Sequence, residues 1–345
     1  MRETPFVTVI MPIRNEARVI ANTLGRVLAQ DYPADCMEVL VVDGISDDGT
    51  RQIVWDLRQQ KHSNLYLLDN PGKIVPTGMN IALRQAKGEI IIRVDGHCMI
   101  APDYVRKCME HIQNDGVAGV GGSMESIGET SVAKAIAIGM SSPFGVGNSA
   151  FRTVSGETKL VDTVPFPAYT RNIIERVGLY DEELVRNQDD EYNYRIREMG
   201  SKILLAEDIH STYFSRTSIK SLWRQYYQYG YWKVRVLQKH PRQMSLRQFV
   251  PPAFVLALLV SVLVALLPVI HLLGLLVPLL YLIANLSASV ITSAKRGWKY
   301  LPLLPIVFVI LHLSYGFGFL VGLVMFRNRW NDKVGKVPQW QNVSE

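Results

Sequence analysis

Gly88-Glu-Ile-Ile-Ile-Arg-Val-Asp-Gly-His97 is the stretch from which the fold can be read. Ile90 to Val94 is mostly β-branched or apolar, the length of a buried strand and too short for a helix. It stops abruptly at Asp95, Gly96 and His97. A carboxylate and an imidazole therefore stand two residues apart at the carboxyl end of a strand, where open α/β sheets bind their ligands. Upstream, strands over Phe6–Met11, Val39–Val42 and Leu65–Leu68 alternate with helical spacing over 16–30, from Ser46 or Asp47 to about Gln60, and over Pro76–Ala86. Strict β-α alternation predicts a largely parallel sheet with helices on both faces. It gathers Pro12–Glu16, Asp43 and Asp95 at neighbouring strand ends.

Downstream, 99–115 reads as a helix, Val117–Gly121 and Val161–Phe166 as strands, and 123–160 as a Gly- and Ser-rich loop over the site. A short helix over Arg171–Val177 precedes Gly178. Asn187-Gln-Asp-Asp-Glu-Tyr-Asn-Tyr-Arg195 opens a further helix, and Lys202–Leu205 closes the domain as a strand.

Charge divides the 345 residues unevenly. Residues 1–208 carry a net −7, whereas 209–331 hold 13 Lys/Arg and no Asp or Glu. Long uncharged apolar runs interrupt the basic region, which favours a membrane over nucleic acid. Cys36, Cys98 and Cys108 match no zinc or redox spacing, so a reduced, cytoplasmic compartment is expected for the first domain. No signal peptide is expected from the start of the sequence.

Residues 217–240 are helical, with Trp223, Tyr226, Tyr227, Gly230, Val234 and Leu237 on one stripe and Arg224, Gln228, Arg235 and Lys239 on another. That pairing fits a helix in the membrane interface; the plain alternative is a packed helix with a solvated face. Gln248–Ala294 is 47 residues without a charge and Tyr300–Phe326 is 27 more. A spanning helix needs about 20. The first run is long enough for two helices and the second for one, giving segments 250–270, 272–292 and 301–326. Lys295-Arg-Gly-Trp-Lys299 belongs on the cytoplasmic side. Three spans then put Arg327, Arg329, Lys333 and Lys336 outside, against the positive-inside tendency. A re-entrant third segment removes the conflict, but three spans are the expectation. The predicted division is 1–213 an α/β domain that holds the candidate site, 214–247 interfacial, 248–326 transmembrane and 327–345 a polar tail.

Asp95 and His97 suit a hard divalent ion, and imidazole suits Mn²⁺ better than Mg²⁺. The ion would bridge diphosphate oxygens of a nucleotide-sugar. A turn aspartate with a surface histidine is the bland alternative.

At this point the sequence resembles the inverting family-2 glycosyltransferases of GT-A fold, over about residues 5–240. The matching pieces are Val9–Glu16, Glu38–Thr50, the Asn80 helix with Gly88, Val94-Asp-Gly-His97, and Asp181-Glu-Glu with Gln188–Arg195. Val161–Phe166 and Arg186–Glu191 look nearest to a succinoglycan-biosynthesis glucosyltransferase branch, bacterial and membrane-attached. The resemblance implies that Pro12, Asn15 and Glu16 shape the nucleotide pocket, that Asn80 lies on its donor side, and that Asp43 meets uracil or ribose. Asp95 and His97 replace an Asp-X-Asp metal motif, and Asp189 stands at the catalytic base, with Asp190 its rival. Departures are His97 for Asp, Gln188 for Glu and Gly44 for a second Asp.

One carboxylate near the acceptor hydroxyl and one metal on the leaving diphosphate suffice for an inverting transfer. His210 is a candidate third metal ligand or a structural histidine. Trp223 and Arg224 are candidates for the acceptor entrance. The leading expectation is a metal-dependent (Mn²⁺ or Mg²⁺) hexosyltransferase of the inner membrane. It moves a sugar, glucose or a related hexose, from a UDP-sugar to a lipid-linked glycan acceptor in exopolysaccharide or cell-surface glycan synthesis, and binds no nucleic acid. Alternatives are a transferase acting on a polyprenyl phosphate or glycolipid, and a nucleotide-binding transporter or scaffold.

Overall fold

The structure, a computed structural model, describes residues 4–60, 63–147, 149–153, 156–333 and 335–340. In chain order its elements are β1 (Val7–Ile13), α1 (Ile20–Leu28), β2 (Met37–Asp43), α2 (Thr50–Gln59), β3 (Leu65–Asp69), α3 (Val75–Gln85), β4 (Ile90–Arg93), β5 (Cys98–Ile100), α4 (Tyr104–Asp115) and β6 (Gly119–Ile127). There follow α5 (Ser131–Met140), α6 (Pro143–Val146), α7 (Ala150–Thr153), β7 (Lys159–Leu160), β8 (Ala168–Thr170), α8 (Arg171–Val177), α9 (Gln188–Glu198) and β9 (Ile203–Phe214). The last helices are α10 (Ile219–Lys239), α11 (Val250–Ala265), α12 (Leu276–Arg296) and α13 (Leu304–Met325).

The chain forms two compact units, one of residues 1–125, 154–213 and 334–345, the other of 126–153 and 214–333. The first unit is thus not a contiguous 1–213: it lacks 126–153 and takes in the end of the chain.

In the first unit the strand order is β3-β2-β1-β4-β8-β6-β9-β5, with β7 on β9. Pairing is parallel from β3 through β4. The strands β8 and β5 pair antiparallel with their neighbours. The sheet is therefore mixed, parallel from β3 through β4 and antiparallel around β8 and β5. Every residue of β1, β2 and β4 is buried, as strands covered on both faces must be. Gly88 makes the entry to β4 possible: a Cβ there would lie 2.4 Å from Thr8 N. Its amide donates to Thr8 Oγ1 at 2.8 Å, and Thr8 in turn donates to Glu38 at 2.7 Å. The chain starts at β1, steps outward to β3, then crosses back to β4. Strand order reverses between β1 and β4, and the crevice beyond such carboxyl ends is where open α/β sheets bind ligands.

Several boundaries differ from the sequence expectation. Residues 123–160 are not one loop: β6 extends to Ile127, and α5, α6 and α7 follow in the second unit. Residues 98–100 are strand before α4 begins. Of the Val161–Phe166 stretch none is strand; β7 lies before it and β8 after it. The start of α2 is capped by neither Ser46 nor Asp47; Asp48 accepts from Thr50 N at 3.0 Å.

In the second unit α13 lies along α10. Among the described residues three helical stretches are long and apolar enough to cross a membrane: Leu246–Ala265, His271–Arg296 and Leu304–Met325.

Candidate active site

The β1 and β2 ends are stitched together by side-chain-to-backbone bonds. Asn15, at φ 56°, donates its amide N–H to Ser46 Oγ at 2.9 Å and accepts from Asp47 N at 3.1 Å. Glu16 N donates to Thr50 Oγ1 at 2.8 Å and Ala17 N to Asp48 Oδ2 at 3.0 Å. Asp43 is fully buried at the end of β2. Its carboxylate accepts from Ser46 N at 3.1 Å and Ser46 Oγ at 2.5 Å, with Arg51 Nη1 at 3.5 Å. Asp43 thus holds the loop that faces the crevice instead of presenting a free carboxylate. Pro12 is buried in β1, paired with Val42.

The β4 end carries a residue that sequence reasoning passed over. Arg93 is buried inside the apolar run. Its guanidinium forks: Nε and Nη2 each lie 2.8 Å from Asp95 Oδ1, and Nη1 is paired with Asp189 Oδ1. Burial opposes the guanidinium's charge, but Asp95, Tyr180 and Tyr169 together hold its pKa above the ordinary value. A lone arginine at the end of an otherwise apolar strand, two residues before an aspartate, was the available signal.

Asp189 stands in the first turn of α9, beside Asp190 and Glu191, where the helix dipole favours anions. Glu191 is committed to Arg195, at 2.7 Å. Asp189 is about a third exposed and reaches across to Arg93, so Asp95 and Asp189, 94 positions apart in sequence, are brought to one guanidinium. Two buried oxygens beside these residues have no hydrogen-bond partner among the described residues: Gln188 Oε1 and Tyr180 Oη. Burial pushes the Tyr180 hydroxyl up to about 12, with Arg93 pulling the other way. Its ring stacks on Tyr192 at 4.0 Å.

His97 points its Nδ1 at Glu16 Oε1, 2.8 Å away, and rests edge-on against Tyr213 at 5.2 Å. A carboxylate on one ring nitrogen is the usual way a metal-binding histidine is oriented, leaving Nε2 for the ion. Asp95, held by Arg93 through Oδ1, keeps Oδ2. The pair suits a divalent ion whose other ligands come from a diphosphate and water. No group of three or more His, Cys, Asp or Glu that would hold a metal on its own occurs among the described residues.

Other expected site residues lie elsewhere. His210 does not join Asp95 and His97. The amide of Ala101 donates to His210 O, whereas His97 packs on Tyr213 at the other end of the β5–β9 pair. Three strand residues separate the two positions, roughly 10 Å. His210 is exposed and bonds Ser123 Oγ at 3.0 Å, the structural alternative. Asn80 is fully buried and turned inward: it donates to Tyr180 O and Glu182 Oε1 and accepts from Tyr180 N. It ties α3 to the segment that leads into α9. Trp223 and Arg224 belong to the second unit, where Trp223 packs against Phe317 at 6.3 Å and Arg224 is exposed.

Residues 8–178 match the model of Glycosyl transferase family 2. Over 330 residues the chain is 28% identical to the succinoglycan biosynthesis protein ExoA of Rhizobium meliloti, covering 93% of this chain and 96% of that one. It is 27% identical over 327 residues to the dolichyl N-acetyl-alpha-D-glucosaminyl phosphate 3-beta-D-2,3-diacetamido-2,3-dideoxy-beta-D-glucuronosyltransferase of Methanococcus voltae, covering 92% and 97%. Among solved structures, the mannosyltransferase PcManGT from Pyrobaculum calidifontis in complex with GDP-Man and Mn²⁺ superposes with a TM-score of 0.58 at 18% identity, covering 91% of this chain and 88% of that one. At that identity the likeness speaks for the fold, the mixed sheet of GT-A glycosyltransferases.

Proposed function

The chain belongs to glycosyltransferase family 2, and from that premise we propose that it is a membrane-attached, metal-dependent, inverting hexosyltransferase using a UDP-sugar. Family membership removes the transporter and scaffold readings. The observation that carries the proposal is the Arg93 fork joining Asp95 to Asp189 at the end of β4.

In this reading Asp95 and His97 hold the divalent ion and Glu16 orients His97. The ion would supply positive charge to the diphosphate as it leaves. The Asn15–Ser46 and Asp43–Ser46 bonds fix the wall that the nucleotide meets. Asp189 takes the proton of the acceptor hydroxyl. That oxygen bonds to the anomeric carbon as the bond to the diphosphate breaks on the opposite face, which inverts the centre. Arg93 pairs with the Asp189 carboxylate and aims it. Asp190 stands one residue further along α9, and the Arg93 pairing favours Asp189 over it. Gln188 Oε1 and Tyr180 Oη are left to bond sugar hydroxyls, since buried polar atoms seek partners.

The acceptor is a lipid-linked glycan. The support is twofold: apolar helices that suit a bilayer, and a full-length relative whose name includes a dolichyl-linked phosphate. Both support a role in membrane-bound polysaccharide assembly.

The test is nucleotide release by membranes containing the protein, given UDP-glucose, UDP-GlcNAc or GDP-mannose with Mn²⁺, Mg²⁺ or chelator. UDP release that requires the ion is expected. Release undiminished by chelator would remove Asp95 and His97 from their roles. Release from GDP-mannose alone would overturn the choice of donor.

A further inference from the structure

The first unit contains its own report on membrane topology. Lys336, beyond α13, donates its backbone N–H to Asp181 Oδ1 at 2.8 Å and accepts from Glu182 N through its carbonyl at 2.9 Å. Asp181 is buried, so the tail is built into the catalytic unit. The chain leaves that unit at residue 213 and re-enters it at 334. The residues between must therefore cross a bilayer an even number of times.

Helix directions decide which even number. A Cβ on Gly318 would lie 2.0 Å from Tyr227 O, and one on Gly322 would lie 2.7 Å from Tyr231 O. Further on, Gln238 Nε2 donates to Phe326 O at 2.8 Å. The numbers rise together, so α10 and the second half of α13 run parallel, backbone against backbone. Four crossings by α10, α11, α12 and α13 in turn would make α10 and α13 antiparallel, so that arrangement is excluded. It would also put the exposed Arg224 into lipid and carry the buried Lys233, Arg235 and Lys239 to membrane depth, where charged side chains are costly. By contrast α11 and α12 form an antiparallel hairpin: the Phe254 and Tyr281 rings are 4.3 Å apart, and a Cβ on Gly274 would lie 2.5 Å from Ser261 O. Their faces are open, with Val262, Leu263, Leu272 and Leu280 each more than half exposed. The apolar stretch of α13 is 44% buried against 17% for the other two.

We propose that the hairpin of α11 and α12 alone crosses the bilayer, its exposed leucines and valines facing lipid hydrocarbon. The helix α13 makes no crossing of its own: it is held by α10 on the catalytic side, and the tail returns to brace the segment leading to α9. This replaces the three-span expectation and relieves its conflict, because Arg327, Arg329, Lys333 and Lys336 now stay on the side of the Lys295–Lys299 loop. The proposal depends on the transferase reading only for naming that side catalytic. Labelling needs no turnover, so the two readings can fail separately.

The experiment is labelling of introduced cysteines in intact and permeabilised cells with an impermeant maleimide, in the whole chain with Cys36→Ser and the buried Cys98 and Cys108 kept. Gln59→Cys reports the catalytic unit, Gln339→Cys the tail and Val269→Cys the hairpin tip; Gln59 and Gln339 are exposed and Val269 is 92% exposed. Positions 59 and 339 are expected to share one accessibility and position 269 to show the opposite. Opposite labelling of 59 and 339 would restore an odd number of crossings and overturn the proposal. Equal labelling of 59 and 269 would overturn the crossing hairpin.

Discussion

Replacing Arg93 by Met should separate the two carboxylates that the active site needs together. The side chain is 6% exposed, and Asp95 and Asp189 are 22% and 35% exposed. Removing one member of a buried ion pair costs about 3–5 kcal/mol, because the remaining charge is left uncompensated. Water reaches both carboxylates, so the lower end applies, about 3 kcal/mol. If the loss falls on the transition state, turnover drops roughly 100-fold. Arg93→Lys keeps a charge but not the fork, and should lose roughly 10-fold. The assay is UDP release at saturating donor, with thermal melting followed in parallel. A double variant tests the pairing itself. Adding Asp189→Asn to Arg93→Met removes the orphaned charge, so the double variant should melt above Arg93→Met alone. Its turnover should fall little below that of Asp189→Asn. Fully additive losses in both readouts, or normal turnover of Arg93→Met, would refute the pairing.

Three further outcomes follow from particular contacts. His111 lies between Asp115 and Asp208, at 2.7 and 2.8 Å. Burial lowers its pKa, but the two carboxylates outweigh burial and the net shift is upward. Its stabilisation is complete below about pH 6.5 and is lost as pH rises through the folded value; melting temperatures of His111→Gln should lack that decline. Gly88→Ala should destabilise by about 1–3 kcal/mol, since the added carbon meets Thr8 N and the β4 entry must shift; denaturant melts measure it. His97→Asp should move the metal preference from Mn²⁺ towards Mg²⁺, because oxygen replaces imidazole; the ratio of turnover with the two ions reads this directly.

The β-α half of the fold is legible because its information is local. Strand runs such as Val39–Val42 and Ile90–Val94 are apolar and short, and each is followed by helical spacing. The β1–β4 switch point and the site at Asp95 follow from that alternation. The antiparallel half is not legible in the same way. Ala168–Thr170 is three residues long, and what makes it a strand is its place between β4 and β6. The helices α5 to α7 are short and rich in small residues, and the partner of α5 is 168 positions away: a Cβ on Gly139 would lie 2.5 Å from Val307. Arg93 was hidden by its apolar neighbours, and Asn80 looked like a ligand contact when it is a brace. His210 lies in β9, which pairs with the strand β5 that follows His97, but it does not share His97's ligand position; only the strand register reveals that. The topology turned on Lys336, whose partners Asp181 and Glu182 no periodicity could indicate.

The central claim is that this family-2 enzyme uses Asp189 as its base, and Asp189→Asn tests it most directly. With metal, UDP-sugar and native membranes present, the variant is expected to bind UDP as the parent does while sugar transfer to the lipid fraction disappears. Transfer near the parental rate would contradict the assignment of the base and, with it, the account of the Arg93 fork.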